Sequence, residues 1–192
     1  MNLPKGVKQN TTNKNVTYGN RGMSLENDLN LTNSYYVDKN IAFVYKKPTP
    51  IQVTKVEYKN NDIRIKEAFF KEPSTTDYNG LYKGKYIDFE AKETLSKTSF
   101  PLENIHKHQI KHIDNIINNG GIGFLIVRFT KLGRDYLLLG KDLMSFLNNN
   151  DRKSIPLKYF EDHAYLIENG YIPRIDYLKV IDKIYGGQNE WY

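Results

Sequence analysis

The stretch from residue 123 to 129 constrains the fold more than any other part of the chain. It contains Phe-Leu-Ile-Val without a polar interruption, between a pair of glycines and a charged loop. A strand that is buried on both faces needs such a run, whereas a strand with one solvated face alternates between apolar and polar residues. We therefore predict a central strand that is covered on both sides.

The remaining segments alternate between helix and strand patterns around this strand. Ser24 is a plausible N-cap for a first helix, and Gly120-Gly121 closes a later one. We predict helices over residues 22–37, 101–119 and 141–149 and another opening at 152–156, with strands over 41–45, 51–58, 63–70, 81–92, 123–129 and 135–139. This order predicts an α/β sandwich with a mixed sheet, in one domain spanning residues 21–185.

Composition narrows the class of protein. The chain has 192 residues, a net charge of +6 and no cysteine, which excludes disulfides and thiolate metal sites. The positive charge favours a polyanionic partner, nucleic acid before membrane. No apolar run approaches the ~20 residues that a membrane span requires, and no signal-peptide pattern is present. We expect an intracellular protein of the cytoplasm.

The two ends of the chain and one internal segment lack the patterns of a core. Residues 1–20 are polar with scattered lysines and are expected to form either a flexible tail or a basic arm that orders on DNA. Residues 186–192 are expected to form a loose tail. Residues 69–76 are polar and aromatic and are expected to protrude rather than to pack.

A carboxylate at a turn and a second acidic run in a strand form the main candidate site. Asp77 lies in Ser-Thr-Thr-Asp-Tyr-Asn-Gly, and the strand residues from Tyr86 to Lys92 alternate. Asp88 and Glu90 therefore share one face with Lys92, and the other face is apolar. The two interpretations are a catalytic site and a solvated strand face with an incidental ion pair.

The chemistry of the first interpretation is binding of a hard cation. Mg²⁺ takes oxygen ligands, commonly one or two carboxylates together with substrate phosphate and water. Asp77 and Glu90 could supply the carboxylates if the turn and the strand meet, and Lys92 could stabilise the charge on an attacked phosphate. Glu26 either stabilises the start of the first helix or reaches the site from it.

The helix predicted over 101–119 carries polar residues whose role the pattern leaves open. Gln109 lies on the stripe of Ile105, Ile113 and Ile116, so it either bonds to backbone in the core or faces the acidic strand and helps to bind metal. His108 and His112 have the i, i+4 spacing of a zinc pair. No third ligand is evident, which favours surface histidines.

Several stretches together resemble the RecU family of Holliday-junction resolvases from low-GC Gram-positive bacteria. The similarity extends from about residue 19 to about residue 180. It is carried by Arg-Gly-Met-Ser-Leu-Glu (21–26), Lys-Lys-Pro-Thr-Pro-Ile-Gln (46–52), Ser-Thr-Thr-Asp-Tyr-Asn-Gly (74–80), Lys-Gly-Lys-Tyr-Ile-Asp-Phe-Glu-Ala-Lys-Glu-Thr (83–94), Arg-Lys-Ser-Ile-Pro (152–156) and Tyr-Ile-Pro-Arg-Ile-Asp-Tyr (171–177).

The resemblance implies a restriction-endonuclease-like fold of the PD-(D/E)xK group, with Thr76 in place of the proline. It implies a homodimer that cleaves four-way DNA with Mg²⁺ or Mn²⁺ in recombination and repair. By position, the metal site would consist of Thr75, Asp77, Glu90 and Gln109. Lys92 would be the transition-state stabiliser. Independently of the resemblance, we keep Glu26 as a candidate supporting residue.

The resemblance also implies a stalk just before the Asp77 motif, at about residues 66–76. It associates the family with the recombinase RecA, and we extend this to a branch-migration helicase and the nucleoid. We predict DNA contacts from the arm and the stalk, through Lys5, Lys8, Lys14, Arg21, Phe69, Phe70 and Lys71. The alternatives are a non-catalytic junction-binding or recombinase-modulating protein on the same scaffold and a site-specific duplex endonuclease.

Overall fold

A computed structural model describes residues 24–59, 62–71 and 75–186. The helices are α1 (Leu25–Asp38), α2 (Lys107–Asn118), α3 (Gly140–Asn149), α4 (Leu157–His163) and α5 (Tyr177–Tyr185). The strands are β1 (Phe43–Lys46), β2 (Ile51–Lys59), β3 (Asp62–Phe70), β4 (Tyr78–Tyr82), β5 (Lys85–Thr94), β6 (Ser99–Pro101), β7 (Ile122–Phe129), β8 (Arg134–Leu139), β9 (Ser154–Pro156) and β10 (Tyr165–Ile167). The predicted arm at 1–20 and the tail from 187 onwards lie outside the described residues.

Six strands form one mixed sheet in the order β1-β4-β5-β7-β8-β10. The pairing of β5 with β7 is parallel, and the other pairings within this sheet are antiparallel. A parallel pair needs a crossover connection, and the segment containing α2 provides it. The mixed sheet confirms the predicted α/β class.

Helices cover both faces of this sheet. On one face, Leu29 of α1 and Ile181 of α5 pack in a core with Phe89 and Phe124. The core on the other face contains Ile113 of α2, together with residues of α3 and α4 and the intervening residues of β7. The β7 side chains other than Arg128 are buried, as the apolar run predicted.

The boundaries of two predicted helices are wrong at their N-terminal ends. Residues 99–101 and 154–156 pair as the short antiparallel strands β6 and β9, so neither segment is free to begin a helix. A 3-10 turn follows β6, and α2 begins only at Lys107 because His106 and Gln109 form a capping box there. α1 begins near its predicted position, with the Ser24 side chain accepting the Asn27 N–H.

Strands β2 and β3 form a separate two-stranded hairpin outside the main sheet. Their residues are exposed on both faces, except for the half-buried Glu57. The exposed apolar side chains are Ile51, Val53, Val56, Tyr58, Ile63, Ile65, Phe69 and Phe70. The exposed hairpin therefore begins earlier than the predicted residues 66–76, of which 72–74 lie outside the described part of the chain. The prediction is wrong at its C-terminal end, where Thr75 is half-buried and Thr76 is buried.

Candidate active site

The β4–β5 hairpin brings the turn acid next to the strand acid. Tyr78 lies opposite Phe89 in the antiparallel register, so Asp77 and Glu90, the next residues outward, also lie opposite each other. Directly opposed residues project from the same face of a sheet. The Asp77 backbone N–H donates to Glu90 Oε2 at 3.1 Å. The meeting of turn and strand that a shared cation site requires is therefore present.

Lys92 lies one pleat further along the same face. Its Nζ is 2.7 Å from Glu90 Oε1 in an ion pair. Glu90 is completely buried, whereas Asp77 is half-buried. Apart from the Lys92 ammonium, no donor among the described residues bonds to Glu90 Oε1. This buried oxygen retains capacity for a further ligand, as expected where a cation binds.

The electrostatics of Glu90 favour an additional positive charge. The pKa of the Glu90 carboxyl is raised to about 8, first by burial and then by the neighbouring Asp77, while Lys92 lowers it. A low-dielectric setting and a second carboxylate both disfavour the ionised form. A divalent cation between the two carboxylates would remove this penalty, so the charges of the pair fit such an ion.

The described residues contain no cluster of three acidic or histidine side chains with the geometry of a metal site. A cation at this position would therefore be held by Asp77 and Glu90 and by neutral oxygens, a ligand set that hard cations such as Mg²⁺ accept. Thr75 is half-buried two residues before Asp77, and its Oγ1 donates to the carbonyl of Thr76 at 3.4 Å.

Gln109 is buried, and its side chain has a defined structural role. Its Oε1 accepts the backbone N–H of His106 at 2.9 Å, which caps the start of α2. This corresponds to the interpretation of Gln109 as a core amide bonded to backbone. Among the described contacts, no hydrogen bond joins Gln109 to Asp77 or Glu90, so its role as a metal ligand stays a prediction.

Glu26 lies in the first turn of α1 and forms an ion pair with Lys46. Among the described contacts, no hydrogen bond or ion pair joins Glu26 to Asp77, Glu90 or Lys92. The Tyr78 hydroxyl, at the start of β4, donates to Asn30 Oδ1. The pKa of Tyr78 is raised first by burial and then by the charges of Glu26, Asp77 and Glu90. Glu26 itself is exposed, and its supporting role stays a prediction.

Asp88 is the site residue whose importance the sequence did not reveal. It is fully buried on the same strand face as Glu90 and accepts hydrogen bonds from Lys47, Thr76 and Tyr86. His112 Nε2 lies 3.2 Å from its Oδ2. The alternation of β5 placed Asp88 on this face, but nothing in the sequence indicated that the face is covered. The interpretation as a solvated strand face is wrong.

The histidines are also less exposed than predicted. His108 and His112 are half-buried rather than on the surface, and His112 contacts Asp88. Neither belongs to a metal cluster among the described residues. Of the predicted DNA contacts, Phe69, Phe70 and Lys71 are exposed at the end of β3, on the open side of the hairpin opposite its turn. Lys5, Lys8, Lys14 and Arg21 lie outside the described residues.

None of the helices in the described ranges is both long enough and apolar enough to cross a membrane.

Comparison with known proteins places the chain in a family. Residues 20–183 match the family model described as RecU, recombination protein U. The chain is similar to a protein of Bacillus cytotoxicus named Holliday junction resolvase RecU, with 55% identity over 181 residues, or 92% of this chain and 90% of the relative. A protein of the same name from Bacillus mycoides is 54% identical over 176 residues, or 90% and 88% of the two chains.

A solved structure of Archaeoglobus fulgidus Hjc, titled as a Holliday junction resolvase, has a TM-score of 0.40 and 7% identity and covers 68% of this chain and 89% of its own. This similarity is too weak to carry an argument about function. The family match and the two relatives, by contrast, extend over nearly the whole chain. The chain belongs to the RecU family.

Proposed function

We propose that this protein is an endonuclease that resolves Holliday junctions by divalent-cation-dependent hydrolysis of phosphodiester bonds. The observation that carries the proposal is the Asp77–Glu90 pair, in which the Asp77 backbone N–H donates to Glu90 and Lys92 Nζ lies 2.7 Å from Glu90. Its family relatives, named for this activity, support the choice of substrate. The role belongs to DNA recombination and repair.

Each residue of the pair has a defined task in this proposal. Asp77 and Glu90 hold Mg²⁺, or Mn²⁺ in its place, with Thr75 and Gln109 as the neutral ligands expected from the family resemblance. When bound, the cation would polarise the phosphate as a Lewis acid and lower the pKa of a water molecule. Lys92 stabilises the negative charge that develops on the attacked phosphate. Glu26 is the candidate supporting residue from α1.

Substrate binding would use shape and charge rather than base sequence. The net charge of +6 favours phosphate contacts, and the β2–β3 hairpin offers aromatic side chains on which bases can stack. Two copies of the chain, related by a two-fold axis, would present identical sites to a four-way junction. RecA, a branch-migration helicase and the nucleoid are the proposed cellular partners and setting.

The test is cleavage of a synthetic four-way junction by wild type and by Asp77→Ala, Glu90→Ala and Lys92→Ala, with Mg²⁺ or with a chelator. We expect junction binding to persist in each variant and cleavage to be lost. Cleavage of supercoiled duplex in parallel separates a junction resolvase from a duplex endonuclease. Wild-type cleavage rates in a variant would remove that residue from the mechanism, and binding without cleavage in wild type would leave a junction-binding protein.

A further inference from the structure

A set of polar side chains, two of them buried and one half-buried, lies directly beside the acidic pair without belonging to it. Asp88 precedes Glu90 by two residues on the same face of β5 and has no solvent exposure. Lys47 Nζ donates to Asp88 Oδ2 at 2.7 Å and to Thr76 Oγ1 at 2.9 Å. The Thr76 hydroxyl in turn donates to Asp88 Oδ1. These three residues form a closed triangle of hydrogen bonds, here called the Asp88 brace.

The brace reaches the site through the backbone of Asp77. Thr76 is the residue before Asp77, so fixing its side chain fixes one side of that peptide. Lys47 fixes the other side, because its backbone N–H donates to the Asp77 carbonyl at 2.7 Å. β4 begins only at Tyr78, so Asp77 lies just outside the regular strand. The brace therefore constrains the one site acid that lacks the full support of the sheet.

Asp88 itself is not available to a cation. Its two oxygens already face Lys47, Thr76, Tyr86 and His112. Lys47 is its counter-ion, and burying such a pair costs desolvation energy that an apolar pair of similar size would avoid. This cost is consistent with a role beyond simple stability. It also leaves the negative charge of the site with Asp77 and Glu90.

We propose that Lys47, Thr76 and Asp88 are positioning residues that hold the Asp77 carboxylate in register with Glu90 and thereby set the affinity of the pair for a divalent cation. This inference rests on the proposed function for the identity of the pair as a cation site. The brace does not touch the cation or the phosphate. It is an outer shell, and loss of an outer-shell partner typically weakens metal binding by about 10- to 100-fold.

The test compares Thr76→Val, which removes the hydroxyl and retains the shape, with Thr76→Ser, which keeps the hydroxyl. Mn²⁺ binding is measured on the protein without DNA, from the loss of the free-ion signal in electron paramagnetic resonance. We expect Thr76→Val to bind Mn²⁺ about tenfold more weakly or worse and Thr76→Ser to retain affinity. Cleavage by Thr76→Val should need correspondingly more Mg²⁺ and recover at saturating cation.

A second variant keeps the test decisive if Thr76→Val does not fold. Lys47→Met combined with Asp88→Leu removes both buried charges together, so that neither remains unpaired. We expect this double variant to stay folded in a chelator, with a melting temperature lowered by the unpaired Thr76 hydroxyl, and to bind Mn²⁺ more weakly. A purely structural role would change melting in these variants and leave Mn²⁺ affinity alone.

The outcomes separate this inference from the proposed function. Unchanged Mn²⁺ affinity in Thr76→Val, or in the double variant where Thr76→Val does not fold, would overturn the positioning role even if wild type cleaves junctions. Weakened Mn²⁺ binding in the tested variant, with a wild type that binds the ion but cleaves nothing, would support the positioning role while refuting the nuclease assignment. A wild type that binds no Mn²⁺ would overturn both.

Discussion

Two of the charged clusters in the described part of the chain differ in how their charges are balanced. In the first, which we call the arginine network, Arg128 donates two hydrogen bonds to Asp135, of 2.7 and 2.9 Å, and one to Asp28, of 2.8 Å. Arg174 donates to the other oxygen of Asp28 at 3.1 Å. Two carboxylates therefore face two guanidinium groups. The network connects α1, β7, β8 and the segment before α5.

The second cluster is the acidic pair with Lys92. Here two carboxylates share one ammonium, and the pKa of Glu90 is raised by burial and by Asp77. A balanced buried cluster can be retained for structure alone, whereas an unbalanced one costs free energy unless a ligand completes it. The comparison therefore indicates which cluster serves folding and which serves binding, although both consist of the same residue types.

The largest effect should follow from altering the unbalanced cluster. Glu90→Gln keeps the size of the side chain and removes one charge of the pair. We expect junction cleavage at fixed Mg²⁺ to fall by about a thousandfold, because an electrostatic group at the reacting centre and a cation ligand are lost together. The variant should still fold and bind the junction in a gel-shift assay. Retained cleavage would show that the acidic pair is not the catalytic centre.

Altering the arginine network should lower the stability of the protein and leave cleavage nearly unchanged. Asp135→Asn replaces the buried carboxylate that pairs with Arg128 by a neutral amide, so the free energy of unfolding should fall by about 3 kcal/mol. Urea denaturation measures this loss. Cleavage per folded molecule should stay near that of wild type at low temperature. Asp162→Asn, in the exposed pair with Lys158, is the matched control and should leave the denaturation midpoint nearly unchanged.

Stability in the absence of cations should depend on pH through Glu90. Its pKa in the folded state is about 8 against an ordinary 4.5, so the folded state holds the proton more tightly. The stabilisation is complete below the lower value and is lost as the pH rises through the higher one. Between about pH 6 and pH 8 the loss is on the order of 2 kcal/mol.

Glu90→Gln is the reference for this pH dependence, because glutamine does not titrate. In a chelator, its melting temperature should stay level over this pH range and exceed that of wild type at the upper end. Mg²⁺ should restore wild-type stability at high pH, where the carboxylate is ready to accept the ion. If the melting temperature of wild type changed with pH no more than that of Glu90→Gln, the raised pKa of Glu90 and the unbalanced charge of the pair would be contradicted.

The two clusters also show how far the sequence could be interpreted. The pattern of β5 placed Asp88, Glu90 and Lys92 on one face, and the turn motif suggested Asp77 as the partner of Glu90. The register of the hairpin, which makes Asp77 and Glu90 direct neighbours, depends on a two-residue turn in which Lys83 and Gly84 both have positive φ. The sequence did not identify this turn, so the meeting of the two acids remained conditional.

The sequence could not show which elements pack over each face of the strands. Asp88 was interpreted as a solvated acid because the helix that covers it is distant in the sequence. This helix, α2, places His112 against Asp88 and begins 13 residues after the end of β5. The arginine network joins residues as far apart as Asp28 and Arg174, and no local pattern links them. Strands β2 and β3 alternate like core strands and yet project from the sheet. Alternation shows that a face is apolar, not what covers it.

The smallest effect should come from the outer edge of the arginine network. Arg174→Gln removes one partner of Asp28 but leaves Arg128 in place, so the free energy of unfolding should fall by about 1 kcal/mol. Cleavage should be unchanged, because Arg128 still balances the charge of Asp28 and no divalent cation is needed there.

The two clusters are nevertheless connected through α1. Asp28 lies two residues after Glu26 on this helix, and the first turn of the helix is held to β5 because Glu93 accepts the Leu25 N–H at 2.8 Å. A loss of cleavage with stability retained would therefore mean that the balanced cluster positions α1 for the unbalanced one, and the separation between a folding cluster and a binding cluster would fail.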